Sequence, residues 1–152
     1  MLNSSPERIR QAAEDAFSSG LFCAESVLSV LAKAQGVESE LVPKLATAFC
    51  SGMARTCGPC GALTGAVMGV SLALGRTQKD ETVQAAYAVT QDLVREFESE
   101  FGARNCDQLL GCDLATPEGQ VVFKENKLHE RCKLYTGKAA EIAARLLSQA
   151  RG

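Results

Sequence analysis

The chain has 152 residues, with 16 basic and 18 acidic side chains and a formal net charge of −2. This length fits one domain over residues 1–152 and allows a core that needs no disulfide support. The charge balance argues against nucleic acid as a partner, and no lysine cluster beside an apolar helix indicates a lipid surface. The longest apolar segment, 62–74, is too short to span a membrane.

Apolar residues recur at helical spacing along the whole chain, and glycines follow most of the periodic segments. The predicted helices cover residues 6–20, 23–36, 41–49, 60–74, 83–102 and 132–146, with a short helical turn at 106–110. Segment 60–74 is apolar on nearly every side, which is typical of a central buried helix. No segment alternates apolar and polar residues as a strand does. The sequence therefore predicts an all-α, single-domain helical bundle of five to seven helices.

Seven cysteines are the most informative feature of the composition, and they occupy positions 23, 50, 57, 60, 106, 112 and 132. The first ten residues, MLNSSPERIR, contain no apolar leader segment, so we expect a cytoplasmic protein with reduced thiols. The odd count also disagrees with a closed disulfide framework. This many thiols in a reducing compartment indicates metal or redox chemistry.

The tetrapeptide Cys57-Gly58-Pro59-Cys60 is the sharpest local motif. Two thiols three residues apart can cycle between dithiol and disulfide, and a helix N-terminus favours the thiolate. Thioredoxins use the same string, but no predicted strand precedes it here, so their fold does not follow. Cys57 and Cys60 are candidate catalytic residues, and the alternative is a glycine-rich turn that carries two cysteines.

Three glycines, Gly61, Gly65 and Gly69, share one face of the helix that follows this motif. Each one weakens the helix itself, so their presence needs another explanation. One explanation is close packing of a second helix. The other is space beside Cys60 for a cofactor or for a partner's thiol. Both can hold together.

The remaining cysteines lie in separate segments. Cys23 and Cys132 fall on apolar helix faces, where each is either a small buried hydrophobe or part of a shared site. Cys106 follows a capping residue and is predicted near a helix start, whereas Cys50 is predicted to be structural. His129 is predicted to be a surface histidine, with a ligand role as the alternative. The chain has no serine-hydrolase elbow, no nucleotide fingerprint and no c-type haem motif.

The order of Cys23, then Cys60-Gly61-Ala62-x-x-Gly65, then Cys106 and Cys132 resembles the C_GCAxxG_C_C family of redox-active proteins. The family label spells its middle element GCAxxG, where this chain reads CGAxxG. The resemblance implies an all-α domain with redox activity and a functional set of four cysteines: Cys23, Cys60, Cys106 and Cys132. A related domain in some multihaem proteins is linked to an iron–sulfur centre. The resemblance therefore favours these four as metal and cofactor ligands.

Three functions remain open from the sequence. The first is an iron–sulfur cluster or other metal held by the four dispersed cysteines, serving electron transfer with a redox partner protein; their spacing argues against a zinc ribbon. The second is a metal-free thiol–disulfide oxidoreductase that uses Cys57 and Cys60, or Cys60 with a distant family cysteine. The third is a non-enzymatic redox sensor or binding module. The apolar faces of segment 60–74 also predict a homodimer.

Overall fold

The computed structural model describes residues 2–151 and the side chains of residues 2–150. Within these residues the chain forms helices and no strand, which confirms the all-α prediction. The helices are α1 (Pro6–Ser18), α2 (Cys23–Ala34), α3 (Leu41–Ala46), α4 (Cys50–Arg55), α5 (Gly61–Leu74), α6 (Gln84–Phe101), α7 (Cys106–Leu110), α8 (Pro117–Glu125) and α9 (His129–Arg151), with a 3₁₀ turn at Thr47–Phe49. The predicted helices are present, but segment 41–49 is divided into α3 and the 3₁₀ turn, and the sequence pattern did not resolve α4 or α8.

Local side chains set several helix ends. Ser5 and Thr116 cap α1 and α8, because each side chain accepts a hydrogen bond from a backbone N–H in the first turn, and a proline follows each cap. Gly102 and Gly111 end α6 and α7 in the left-handed conformation, with φ of 81° and 71°. Glycine adopts this conformation without a Cβ clash, so these two positions stop their helices sharply.

Helices α5 and α9 form the centre of the fold. Helix α9 packs against α1, α2, α5 and α6, and α5 is flanked by α2, α6 and α9. Fully buried Leu93, Phe97 and Leu147 lie in this core. Phe97 and Phe101 meet edge to face, and Phe101 meets Tyr135 at a ring-centroid distance of 4.7 Å, a favoured geometry for aromatic pairs. The apolar character of α5 is explained by the three helices around it.

Helix α5 is also the most apolar segment, but no helix in the described part of the chain is long and apolar enough to cross a membrane. Its flanks are covered by the neighbouring helices, and Leu72 near its C-terminal end is 44 % exposed. The homodimer, which was inferred from the apolar faces of this segment, stays a prediction.

The three glycines of α5 let α2 approach closely, as their spacing predicted. A Cβ at Gly65 would lie 2.7 Å from the Ala24 carbonyl oxygen, and one at Gly69 would lie 2.4 Å from a methyl group of Leu31. At Gly61 the same position is 2.3 Å from the sulfur of Cys23. The glycines therefore serve helix packing, and Gly61 also makes room for a cysteine side chain.

We expect Gly65→Ala to lower the free energy of unfolding by about 1–3 kcal/mol, because the added methyl group meets backbone atoms of α2 that cannot rotate away. Urea unfolding followed by circular dichroism measures the change. Ser71→Ala is the matched control, since Ser71 lies on the same helix and is exposed. Equal midpoints for Gly65→Ala and wild type would contradict the close packing of α2 against α5.

Candidate functional site

A cavity of about 160 Å³ lies where several helices begin, and four cysteines line it. Cys23 is the first residue of α2, Cys60 immediately precedes α5, Cys106 is the first residue of α7, and Cys132 lies in the first turn of α9. All four are free thiols. The residues selected by the sequence motif are thus brought together around one space, although they come from four separate helices.

A pair of backbone hydrogen bonds holds two of these cysteines side by side. The Cys60 N–H donates to the Arg104 carbonyl at 2.7 Å, and the Cys106 N–H donates to the Gly58 carbonyl at 2.9 Å. Together they form an isolated antiparallel bridge between the loop before α5 and the loop before α7. This bridge fixes the starts of both helices, and with them Cys60 and Cys106.

Cys23 is held on the other side of the cavity by α5 and by Cys50. Its sulfur lies against Gly61, where any side chain would displace it. Cys50 is buried outside the cavity, and its thiol donates to the Ala46 carbonyl at 3.6 Å. A hydrogen bond with Cys23, followed by burial, raises the pKa of the Cys50 thiol. Cys50 is therefore a buried neighbour of Cys23 that does not itself line the cavity.

Helix α9 supplies Cys132 and a tyrosine that fixes α7. The buried Tyr135 hydroxyl donates to the Leu109 carbonyl at 3.2 Å, which ties α9 to the helix that carries Cys106. His129 is exposed at the rim of the cavity and packs on Phe17 with a ring-centroid distance of 4.5 Å. This histidine is a surface residue, as predicted, but it also borders the site.

Burial lowers the acidity of Cys60, Cys106 and Cys132. It raises the pKa of Cys60 to about 12, of Cys106 to about 11 and of Cys132 to about 12. Near Cys60 the backbone N–H of Ala62 at the start of α5 acts in the opposite direction, but desolvation exceeds it. The helix start alone therefore does not make Cys60 a thiolate, because burial, which the motif does not reveal, has the larger effect on its pKa.

We expect the metal-free, reduced protein to lose stability as pH rises from about 9, the ordinary thiol value, toward 12. In that range the unfolded chain releases thiol protons that the folded chain keeps, so the stabilisation is complete below pH 9 and declines above it. Denaturant unfolding at a series of pH values, in the presence of reductant, measures the slope. Cys132→Ala removes one of these thiols, and its decline should be shallower; identical slopes would contradict the raised pKa values.

The segment between Cys50 and the motif at 57–60 winds with the opposite hand. Helix α4 contains Ser51, Gly52, Met53 and Ala54, with φ between 56° and 65°. For residues other than glycine this conformation costs roughly 1–2 kcal/mol each. The left-handed segment places Gly52 at the cavity wall, where an added Cβ would lie 2.5 Å from the Cβ of Cys106. Nothing in the apolar periodicity predicted this turn.

Arg55 continues the left-handed segment, with φ of 67°, and lines the cavity. Most other lining residues are apolar, such as Leu109, Leu110 and Phe123. An apolar lining excludes water and strengthens the effect of any charge inside. Cys57 lies outside, in a separate surface crevice, so Cys57 and Cys60 face different spaces. The exchange role predicted for this pair stays a prediction.

The donor chemistry of the cavity can be compared with what metals require. Among the described residues, no three Cys, His, Asp or Glu side chains are grouped so that they could hold one metal ion. A tetrahedral single-ion site needs its sulfurs about 2.3 Å from a common point. In an iron–sulfur cluster the cysteine ligands bind different irons, so their sulfurs lie farther apart than the sulfurs around a single ion. The described residues therefore contain no ready-made site for a single metal ion, and the four thiols that line the cavity are the candidate donors for a larger group.

Fold and site define an all-α protein in which cysteines from separate helices surround one buried cavity. The chain belongs to the family described as "Putative redox-active protein (C_GCAxxG_C_C)", whose model matches residues 21–146. This range contains all four cavity cysteines, and it confirms the resemblance found from their order. Comparison with curated proteins and with solved structures finds no match.

Proposed function

We propose that the cavity holds an iron–sulfur cluster, with Cys23, Cys60, Cys106 and Cys132 as its ligands, and that the protein serves in electron transfer. The observation that carries this proposal is the convergence of four free thiols, from four helices, on one largely apolar cavity. Four cysteines are the standard ligand set of such clusters, and the interior of a helical bundle is a common place for metal centres.

The electrostatics of the cavity support an anionic occupant. Helices α2, α5 and α9 all begin beside it, and the N-terminal end of a helix carries partial positive charge. Arg55 adds a full positive charge to the lining. Four thiolates are a concentrated negative charge, so these groups favour the deprotonated ligand set. Because burial keeps Cys60, Cys106 and Cys132 protonated, binding must release their protons, and it should strengthen as pH rises.

The chain's own residues would hold the group, shield it and leave one approach open. The two backbone bonds at Cys60 and Cys106 hold two of the four proposed ligands in place, and Tyr135 fixes α7 against α9. When bound, a cluster supplies a one-electron redox couple. The exposed rim residues Phe22 and His129 mark the side from which a partner protein can approach. The surrounding apolar side chains limit water, a factor that sets the potential of such centres.

Anaerobic reconstitution with ferrous iron and sulfide tests the proposal. We expect wild-type protein to gain visible absorbance and stoichiometric iron and sulfide, and a serine substitution at any one of the four ligands to lower both. Cys50→Ser is the matched control, because Cys50 is buried nearby but does not line the cavity. Wild-type protein that stays colourless, or four ligand variants that all keep their iron, would contradict it.

A metal-free thiol–disulfide oxidoreductase is the second candidate. It is favoured by the partial exposure of Cys57 beside the buried Cys60, since exchange needs one thiol that a substrate can reach. This function predicts a colourless protein with a two-electron couple that disappears in both Cys57→Ser and Cys60→Ser. Redox titration with thiol trapping measures that couple. A Cys57→Ser protein with an unchanged couple would reject this candidate.

A further inference from the structure

A second thiol site lies at the surface, next to the cavity. Cys57, Cys106 and Cys112 line a small crevice together with Arg55 and Asp107. Cys106 also lines the cavity, so one residue borders both spaces. Cys57 and Cys112 are not among the four cysteines of the family motif, and the proposed ligand set leaves both unused.

The backbone brings Cys57 close to Cys106. The Cys106 N–H donates to the Gly58 carbonyl at 2.9 Å, and the antiparallel bridge pairs Pro59 with Asn105, so the backbone at Gly58 lies directly beside the backbone at Cys106. Cys57 is the immediate neighbour of Gly58. Disulfides span Cα separations of about 4.4–6.8 Å. Cys57 lies in a bend outside any helix, and its thiol borders the same crevice as Cys106.

We propose that Cys57 and Cys106 form a reversible disulfide by exchange with a small-molecule disulfide of the glutathione type, and that this bond withdraws Cys106 from the cavity. The disulfide itself does not depend on the proposed function. Its consequence does: if the cavity takes a cluster, the oxidised protein lacks one ligand. The crevice would then couple cofactor loading to the thiol–disulfide balance of the surroundings.

The exchange is balanced in atoms and electrons. The Cys57 thiolate attacks one sulfur of the small disulfide, forms a mixed disulfide and releases one thiolate. The Cys106 thiolate then attacks the Cys57 sulfur, forms the internal disulfide and releases the second thiolate. Two cysteine thiols are oxidised, one disulfide is reduced to two thiols, and the two cysteine protons pass to the released thiolates.

Two other pairings are less favoured by the structure. Cys60 lines the cavity and does not line the crevice, so its sulfur faces away from the space that Cys57 borders. Cys112 also borders the crevice, and the side chain of its neighbour Asp113 accepts a hydrogen bond from Cys57. Unlike Cys106, Cys112 has no backbone bond to the loop that carries Cys57 among the bonds of the described residues. Both pairings are outcomes that the experiment distinguishes.

The test treats the reduced, metal-free full chain with glutathione disulfide under anaerobic, mildly alkaline conditions, followed by acid quenching, alkylation and mass spectrometry. Trypsin leaves Cys57 and Cys60 on one peptide, 56–76, and Cys106 and Cys112 on another, 105–124. We expect these two peptides to become linked. The link should be lost in Cys57→Ser and kept in Cys60→Ser and Cys112→Ser. Cys106→Ser should instead accumulate glutathione on Cys57, because the second step is missing.

Three results would overturn the proposal: no linked peptides, a link that survives Cys57→Ser, or a link that requires Cys112 or Cys60. Reconstitution with iron and sulfide tests the disulfide proposal separately from the cluster proposal. The oxidised wild-type protein should take up less iron than the reduced protein, whereas Cys57→Ser should take up equal iron under both conditions. If no form binds iron, the cluster proposal fails and the peptide link still decides the disulfide. A link without any loss of iron uptake would overturn the withdrawal of Cys106.

Discussion

Cys60→Ser should reduce the iron and sulfide retained after reconstitution to background. Cys60 is 7 % exposed, and its neighbours include Cys106 and Cys132, which both influence its pKa. Its position is fixed by the backbone bond to Arg104 and by the start of α5, and Cys57, three residues earlier, lines a different space. A serine hydroxyl is a poor ligand for iron that prefers thiolate. Iron and acid-labile sulfide analysis measures the loss.

A buried serine at this position also costs about 1–3 kcal/mol if its hydroxyl finds no partner, so loss of iron must be separated from loss of fold. Cys60→Ala removes the ligand without adding a polar atom, and we expect it to lose iron equally. Circular dichroism and unfolding midpoints of both variants show whether they fold. A folded Cys60→Ala protein with wild-type iron content would remove Cys60 from the ligand set.

Gly52→Ala should destabilise the protein by about 1–3 kcal/mol and also lower its iron content. The residue has φ of 65°, which disfavours any side chain, and the added Cβ would lie 2.5 Å from the Cβ of Cys106. Either the left-handed turn or Cys106 must move, and a displaced Cys106 is a weaker ligand. Unfolding in urea and iron analysis after reconstitution measure the two effects on the same sample.

Ala54→Gly is the matched variant in the same turn and should have the opposite effect on stability. Ala54 is exposed and has φ of 56°, so glycine removes a left-handed penalty of about 1–2 kcal/mol from the folded state. Glycine also increases the conformational entropy of the unfolded chain, which lowers stability by about 0.4–1 kcal/mol. We expect a net gain of about 0.5–1 kcal/mol with unchanged iron. A loss of stability in Ala54→Gly would show that the turn is not left-handed in solution.

The sequence was sufficient for the fold because helical periodicity and end signals agree in most segments. Gly102 ends α6 where the pattern stops, and the glycine face of α5 predicted the close approach of α2. The pattern was less informative where local chemistry overrides it. Tyr87 has the spacing of the apolar face of α6 but is 60 % exposed, so periodicity alone does not show which part of that face is covered. The left-handed turn at α4 has a single glycine and shows no periodic signal.

The sequence predicted which cysteines line the site, but it did not predict how deeply they are buried. The order of the four cysteines selected residues that the structure places around one cavity. Burial depth, however, depends on contacts between distant helices, so the raised pKa of Cys60 had no signal in the motif. The bridge that joins the loops before α5 and α7 is also a long-range contact. For this reason the local spacing pairs Cys57 with Cys60, whereas the structure also places Cys57 beside Cys106.

The most direct measurement of the central claim is the iron and acid-labile sulfide content of the full chain purified without exposure to oxygen, with its visible spectrum. We predict a coloured protein with equal amounts of iron and sulfide, which Cys60→Ser loses and Cys50→Ser keeps. A colourless wild-type protein without iron, whose thiols are all free to react once it is unfolded, would contradict the cluster.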